Sequence, residues 1–162
     1  FLGAGYIGPV PVPVIIMIVV VVISALIMNR TKMGRHIYAV GGNAQAAVFS
    51  GIKVSKVKFF VHAFSGVMAG LAGIILASRM YSGQPTAGEG AEMDAIAAVV
   101  VGGTSMSGGS GKIGGTVIGA LIIGILNNGL NLLNVNSFWQ DVVKGIVILL
   151  AVLIDYFRTN KK

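Results

Sequence analysis

Long apolar runs separated by short polar segments dominate this chain. Residues 10–28 are an almost uninterrupted series of Val, Ile, Met and Leu, and residues 113–133 form a second predominantly apolar run. An α-helix rises about 1.5 Å per residue, so either run is long enough to cross a hydrocarbon core about 30 Å thick. The pattern therefore predicts an all-α transmembrane protein.

Five membrane segments are predicted in all. Residues 57–77 and 140–157 are apolar and long enough to cross, whereas residues 91–103 are short and end in glycine. If the first span enters from outside, only a crossing at 91–103 leaves the basic tail at 158–162 inside. A re-entrant segment would place that tail outside, against the positive-inside rule. We therefore predict a polytopic helical bundle with five crossings, the third of them broken by glycine.

The composition supports a membrane protein. Hydrophobic residues make up 55% of the chain and charged residues only 10%, whereas soluble domains carry about 25% charged residues. The net charge of +7 would suggest nucleic acid binding in a soluble protein, but the basic residues cluster beside apolar runs and so mark orientation. With no Cys and two His, the chain offers no thiolate metal site, and a site built from His alone is not expected.

Residues 29–56 form a basic loop between the first two predicted spans. The loop contains five Lys and Arg residues and no Asp or Glu. Such loops stay on the cytoplasmic side of a bilayer. Within it, the segment GGNAQAAVFSGIKV has a helical composition and is bounded by glycines. We therefore expect a short helix that contacts a cytosolic partner.

The chain shows no catalytic motif. GGTSMSGGSGK is similar to a phosphate-binding loop, but that motif needs Gly where Met106 stands and Ser or Thr where Ile113 stands, so we predict a turn between membrane segments. An intramembrane hydrolase would need paired acids or a Ser/Lys or His-rich site at membrane depth, and none is visible. Asp141 and Lys144 are three residues apart and are expected to pair as an anchor of the last helix. If the protein performs work, a partner is expected to supply the energy.

Polar and small side chains predict contacts between the helices. Gly66, Gly70 and Gly73 in one span, and Gly115 and Gly119 in another, have the spacing that lets helix backbones approach closely in lipid. A series of amides follows in the outward-facing part of the fourth span, and those at i, i+4 and i+7 are expected to share a helix face. They form either an interhelical hydrogen-bond ladder or the lining of a substrate path. The amides are Asn127, Asn128, Asn131 and Asn134.

Two long segments identify a family. GRHIYAVGGNAQAAVFSGIKVSKVKF and AIAAVVVGGTSMSGGSGKIGGTVIGALIIGILNNGLNLLNV resemble the permease subunits of ABC importers for ribose and related simple sugars. The likeness is greatest to the ribose members, and members for xylose, galactose and autoinducer-2 are similar. The resemblance implies a permease of about ten helices, of which this chain would be the C-terminal half. It also implies a bacterial cell membrane location.

The resemblance further implies partners and site residues. Two permease subunits, as a homodimer, would form the channel within the lipid. A separate ATPase would bind ATP and Mg²⁺ at the cytoplasmic face, and a sugar-binding protein would deliver substrate from outside. A channel that works without ATP is the alternative. The helix that couples the permease to the ATPase would consist of Asn43, Ala44, Gln45, Ala46, Ala47, Val48, Phe49 and Ser50, followed by Gly51.

Overall fold

The computed structural model describes residues 3–159, and the side chains of all of these except residues 154, 155, 158 and 159. The predicted cytoplasmic tail at 158–162 therefore lies, apart from the backbone of its first two residues, outside the described part. The described chain is α-helical apart from one two-stranded antiparallel hairpin near its start, which confirms the predicted all-α class. The elements are β1 (Tyr6–Ile7), β2 (Val10–Pro11), α1 (Val12–Arg30), α2 (Lys32–Gly42), α3 (Ala44–Phe49), α4 (Val54–Met80), α5 (Ala91–Val101), α6 (Ile113–Leu132) and α7 (Ser137–Thr159).

Among the described residues, three helices are long and apolar enough to cross a membrane: α1, α4 and α6. Helix α1 begins two residues later than the predicted span, because Pro11 lies in β2 and Pro13 falls in the first helical turn, where a missing N–H is tolerated. Helix α5 has only 11 residues, about 16 Å along its axis, which is half of a hydrocarbon core. The third predicted segment thus contains a half-length helix that ends where the glycines begin. The number of crossings stays a prediction.

The chain divides into two compact units, and the first of them ends at Glu89. In this unit α1 is joined to α2 by a tight elbow at Thr31. The Thr31 Oγ1 donates a hydrogen bond to the carbonyl oxygen of Ile27 at 2.7 Å and accepts one from the Gly34 N–H at 3.2 Å. An added Cβ at Gly34 would overlap the carbonyl oxygen of Met28. The elbow therefore requires glycine at this position, and it turns the chain from α1 into the amphipathic helix α2.

The second unit, which begins at Gly90, is a packed arrangement of α5, α6 and α7. Helix α5 lies antiparallel to α6, with Ala98 against Gly119 and Gly102 against Gly115. A Cβ at either glycine of α6 would overlap a carbonyl oxygen of the facing residue. The close approach predicted for these two glycines is confirmed. At Gly66, Gly70 and Gly73 of α4, by contrast, an added Cβ would meet only open space within the described residues.

Candidate coupling helix and polar membrane cluster

The predicted coupling segment is a helix whose start is fixed by its own first residue. Asn43 has an extended backbone conformation, and its Oδ1 accepts a hydrogen bond from the Ala46 N–H at 3.0 Å. Side-chain oxygens in this position satisfy one of the N–H groups left free at a helix start. The Asn43 N–H in turn donates to the carbonyl oxygen of Ala39 at the end of α2. Asn43 therefore ends one helix and begins the next.

The end of α3 is fixed by a glycine in the left-handed region. Gly51 has φ +80°; its N–H donates to the Val48 carbonyl at 2.9 Å, and the Ile52 N–H donates to the Ala47 carbonyl at 3.0 Å. These two bonds form a Schellman motif, which satisfies carbonyl groups at a helix C-terminus. The helix thus begins and ends at the residues that the sequence indicated.

Exposure divides α3 into an inner and an outer side. Ala47 is only 3% exposed and lies on the side that faces the rest of the unit, where α3 contacts α2 and α4. The remaining side chains of α3 are exposed, and Phe49 is 90% and Val48 57% exposed. The outer side of α3 therefore presents two neighbouring exposed apolar side chains on an otherwise basic loop.

The four asparagines do not form one surface. Asn127 Nδ2 donates to Asp94 Oδ2 of α5 at 2.9 Å, and Asn131 Oδ1 accepts from Gln140 Nε2 of α7 at 2.9 Å. Both bonds join neighbouring helices, so they support the interhelical ladder at these two positions. Asn128 is exposed.

The expected shared helix face is wrong for Asn134. Helix α6 ends at Leu132, and Asn134 lies beyond it with φ +52°. Its N–H donates to the Asn131 carbonyl at 3.0 Å, while the Val135 N–H donates to the Leu130 carbonyl at 3.1 Å, which is the same Schellman arrangement as in α3. Asn tolerates the left-handed region better than other residues with a Cβ, so Asn134 ends the helix where a glycine is more common.

A charge cluster joins the three helices of the second unit. Lys144 Nζ on α7 lies 2.9 Å from Asp94 Oδ1 on α5 and 3.7 Å from Asp141 Oδ1 on its own helix. The pair predicted between Asp141 and Lys144 is therefore present, but the nearer carboxylate belongs to α5. The Lys144 side chain is 13% exposed, that of Asp94 32%, and that of Asp141 70%.

The cluster also contains acceptor atoms without a directed hydrogen bond. Asp94 Oδ1 and Asn127 Oδ1 are buried and make none within the described residues. The contact of Asp94 Oδ1 with Lys144 is thus an ion pair at close range and not a well-aligned hydrogen bond. From the sequence, Asp94 was expected to be a solvated acid or a contact for an extracytoplasmic partner, and its pairing with Lys144 was missed. An acidic residue in the fourth position of an apolar segment was a signal that a cationic partner should exist.

Comparison with known proteins places the chain in a family of transport proteins. The profile of the family described as branched-chain amino acid transport system / permease component matches residues 1–152. The ribose import permease protein RbsC of Bacillus subtilis (strain 168) is 60% identical over 153 residues, which is 94% of this chain and 48% of that protein. No solved structure matches this chain.

Other relatives agree in kind. The ribose import permease protein RbsC of Haemophilus influenzae is 54% identical over 161 residues, 99% of this chain and 50% of that protein. The xylose transport system permease protein XylH of the same organism is 51% identical over 140 residues, 86% of this chain and 37% of that protein. The chain spans about half the length of the ribose relatives that it matches. These relatives carry the names of transport permeases and not of enzymes.

Proposed function

We propose, from the premise that this chain belongs to the family of branched-chain amino acid transport system / permease components, that it forms part of the membrane channel of an ATP-driven importer for ribose or a related simple sugar. The observation that carries the proposal is the high identity to ribose import permeases over almost the whole chain. The apolar helices agree with a multi-pass membrane protein, which we place in the bacterial cell membrane.

The energy source is a partner protein. The chain has no phosphate-binding loop, so we assign ATP and Mg²⁺ to a separate ATPase at the cytoplasmic face. A second permease subunit completes the channel, and an extracytoplasmic binding protein supplies the sugar. Because that protein selects the substrate, the permease needs only weak contacts that allow both entry and release.

Helix α3 is the proposed contact with the ATPase. Phe49 and Val48 project from it and would enter an apolar groove, while Ala47 holds the other side of the helix against its own unit. Hydrogen bonds at both ends keep α3 in one conformation. A displacement of the groove on ATP binding would therefore move α3 as a rigid body, together with α2 and α4, which it contacts. Tilting of the helices then exposes the path to one side of the membrane at a time.

The substrate path is the second part of the proposal. Amide groups both donate and accept hydrogen bonds, as sugar hydroxyls require. Asn128 is exposed and is available for such contacts, whereas Asn127 and Asn131 would first have to leave their partners on α5 and α7. The position of Asn134 outside the helix makes it the weakest candidate of the four.

The coupling role is tested by changing the outer side of α3 without unfolding it. Ala46 is exposed, so Ala46→Glu and Phe49→Ser leave the packing of Ala47 intact. In the full permease, we expect both variants to reach the membrane in normal amounts but to lose co-purification of the ATPase and uptake of labelled ribose. Phe138→Ser is the control, because Phe138 is similarly exposed (80%) on a different helix, and it should retain the ATPase.

The opposite results have distinct meanings. Unchanged ATPase association and uptake in Ala46→Glu and Phe49→Ser would overturn the coupling role of α3. Uptake that persists in ATP-depleted cells, or without the binding protein, would instead favour a channel that works without ATP.

A further inference from the structure

We propose that Asp94 and Lys144 are positioning residues for transport: their ion pair holds the half-length helix α5 against α6 and α7, and α5 is released when Lys144 exchanges Asp94 for Asp141. The proposal rests on the proposed transport function for its purpose. Its structural part, that the ion pair controls the separation of α5, is tested independently of that function.

Helix α5 is held differently at its two ends. Near its C-terminus the contacts are between backbones, since Gly102 meets Gly115 and Ala98 meets Gly119. Near its N-terminus they are polar, from Asp94 to Asn127 and Lys144. In lipid there is no hydrophobic driving force between helices, so packing and polar contacts must hold a short helix in place. The charged end is thus the part of α5 whose attachment can be switched.

The position of the cluster along α6 makes it unfavourable to leave one of its charges unpaired. Asn127 lies five residues before the end of α6, about 7 Å along the axis of a membrane-crossing helix. Lys144 is the least exposed of the three charged groups. Because its side chain is only 13% exposed, Lys144 would be unfavourable without any carboxylate partner. Helix α5 can therefore leave only if both Lys144 and Asp94 keep a compensating group.

Both charges have such a group. Lys144 is 3.7 Å from Asp141, which lies one turn away on the same helix and stays close when α5 moves. Asp94 lies in the first turn of α5, where the helix dipole favours a negative charge. The attached and released arrangements therefore each leave the lysine paired. Two discrete arrangements of similar charge compensation are what a conformational switch requires.

A single cysteine reports the release directly. This chain has no cysteine, and Val100 on α5 is 5% exposed, so Val100→Cys introduces one small, buried thiol. The full permease carrying this reporter, with any other cysteines replaced, is assembled with its partner subunits in membrane vesicles. The measurement is the rate of labelling by N-ethylmaleimide in unmodified, Asp94→Asn and Asp141→Asn backgrounds. Ile96→Cys, which is 43% exposed on the same helix, controls for access of the reagent.

The two substitutions should act in opposite directions. Asp94→Asn removes the attached pair and should raise the labelling rate of the Val100 cysteine by about tenfold. Asp141→Asn removes the alternative partner and should lower that rate. Equal labelling in all backgrounds would overturn the proposal. A rise in both single variants would also overturn it, because it would show loss of packing without partner exchange.

Transport kinetics separate a positioning role from contact with the sugar. We expect both single variants to lower the maximal rate of ribose uptake and to leave its KM unchanged. A raised KM with unchanged labelling would show that the residues contact the substrate instead, against the proposal. If Asp94→Asn fails to fold, Asp141→Asn still decides the matter, because Asp141 is largely exposed. If the unmodified permease imports no sugar, the proposed function fails while the labelling comparison stands.

Discussion

Replacing Gly119 with alanine tests whether α5 and α6 must touch through their backbones. A Cβ at this position would overlap the carbonyl oxygen of Ala98, and it would lie 2.8 Å from the Gly102 N and 2.9 Å from the Ala98 carbonyl carbon. All three are backbone atoms, so no change of rotamer can make room. The two helices must therefore move apart, which also separates Asp94 from Asn127.

The size of the effect follows from a matched substitution on the same helix. Overpacking of this kind costs about 1–3 kcal/mol. Alanine is at the same time about 1 kcal/mol better than glycine in a helix interior, which offsets part of that loss. Gly124→Ala has the same propensity gain, but its Cβ would meet open space. The difference in stability between the two variants should therefore isolate the steric term, about 1–3 kcal/mol.

Thermal unfolding of the full permease in detergent measures this difference. We expect Gly124→Ala to melt at or slightly above the unmodified protein and Gly119→Ala to melt several degrees below it, with reduced ribose uptake. Equal melting temperatures for the two alanine variants would refute the close backbone contact. So would a lower melting temperature for Gly124→Ala alone.

Two further predictions concern the ends of helices. Gly51→Ala should cost about 1 kcal/mol, because its φ of +80° is unfavourable for a residue with a Cβ, and should weaken co-purification of the ATPase. Gly83→Ala is the control, because no contact and no positive φ opposes a side chain there, and it should leave stability and ATPase co-purification unchanged. Equal ATPase co-purification in both variants would contradict this role of the helix end. Asn134→Gly should keep both stability and uptake, whereas Asn134→Val should lower the melting temperature of the permease, since a β-branched residue resists the left-handed region. Loss of uptake in Asn134→Gly would return this amide to the substrate path.

Helix α3 could be predicted from sequence because its determinants are local. Asn43 caps α3 through an atom three residues away, and Gly51 ends it through bonds to residues three and five positions before each donor. Because such signals involve only residues that are close in sequence, they can be recognised from composition and spacing alone. The same kind of signal was present at Asn134, an asparagine directly after an apolar helix, but the spacing of the amides favoured a continuous helix instead. The spacing of the amides predicted that the helix continues to Asn134, but the tendency of asparagine to end a helix was the better guide.

The polar cluster shows why the remaining part of the site could not be predicted in the same way. Asp94 and Lys144 are separated by 50 positions, and their contact depends on how α5 packs on α6 and α7. From the sequence, Lys144 has a sufficient partner in Asp141, so the local pair conceals the need for a distant one. In the structure Asp94, although remote in sequence, lies nearer to Lys144 than Asp141 does, and its side chain is less exposed. Asp94 is therefore the main partner of Lys144. The local pair then acquires a different meaning. A lysine whose main partner lies on a half-length helix, and whose second partner lies on its own, can let that helix move without leaving a charge unpaired in the membrane.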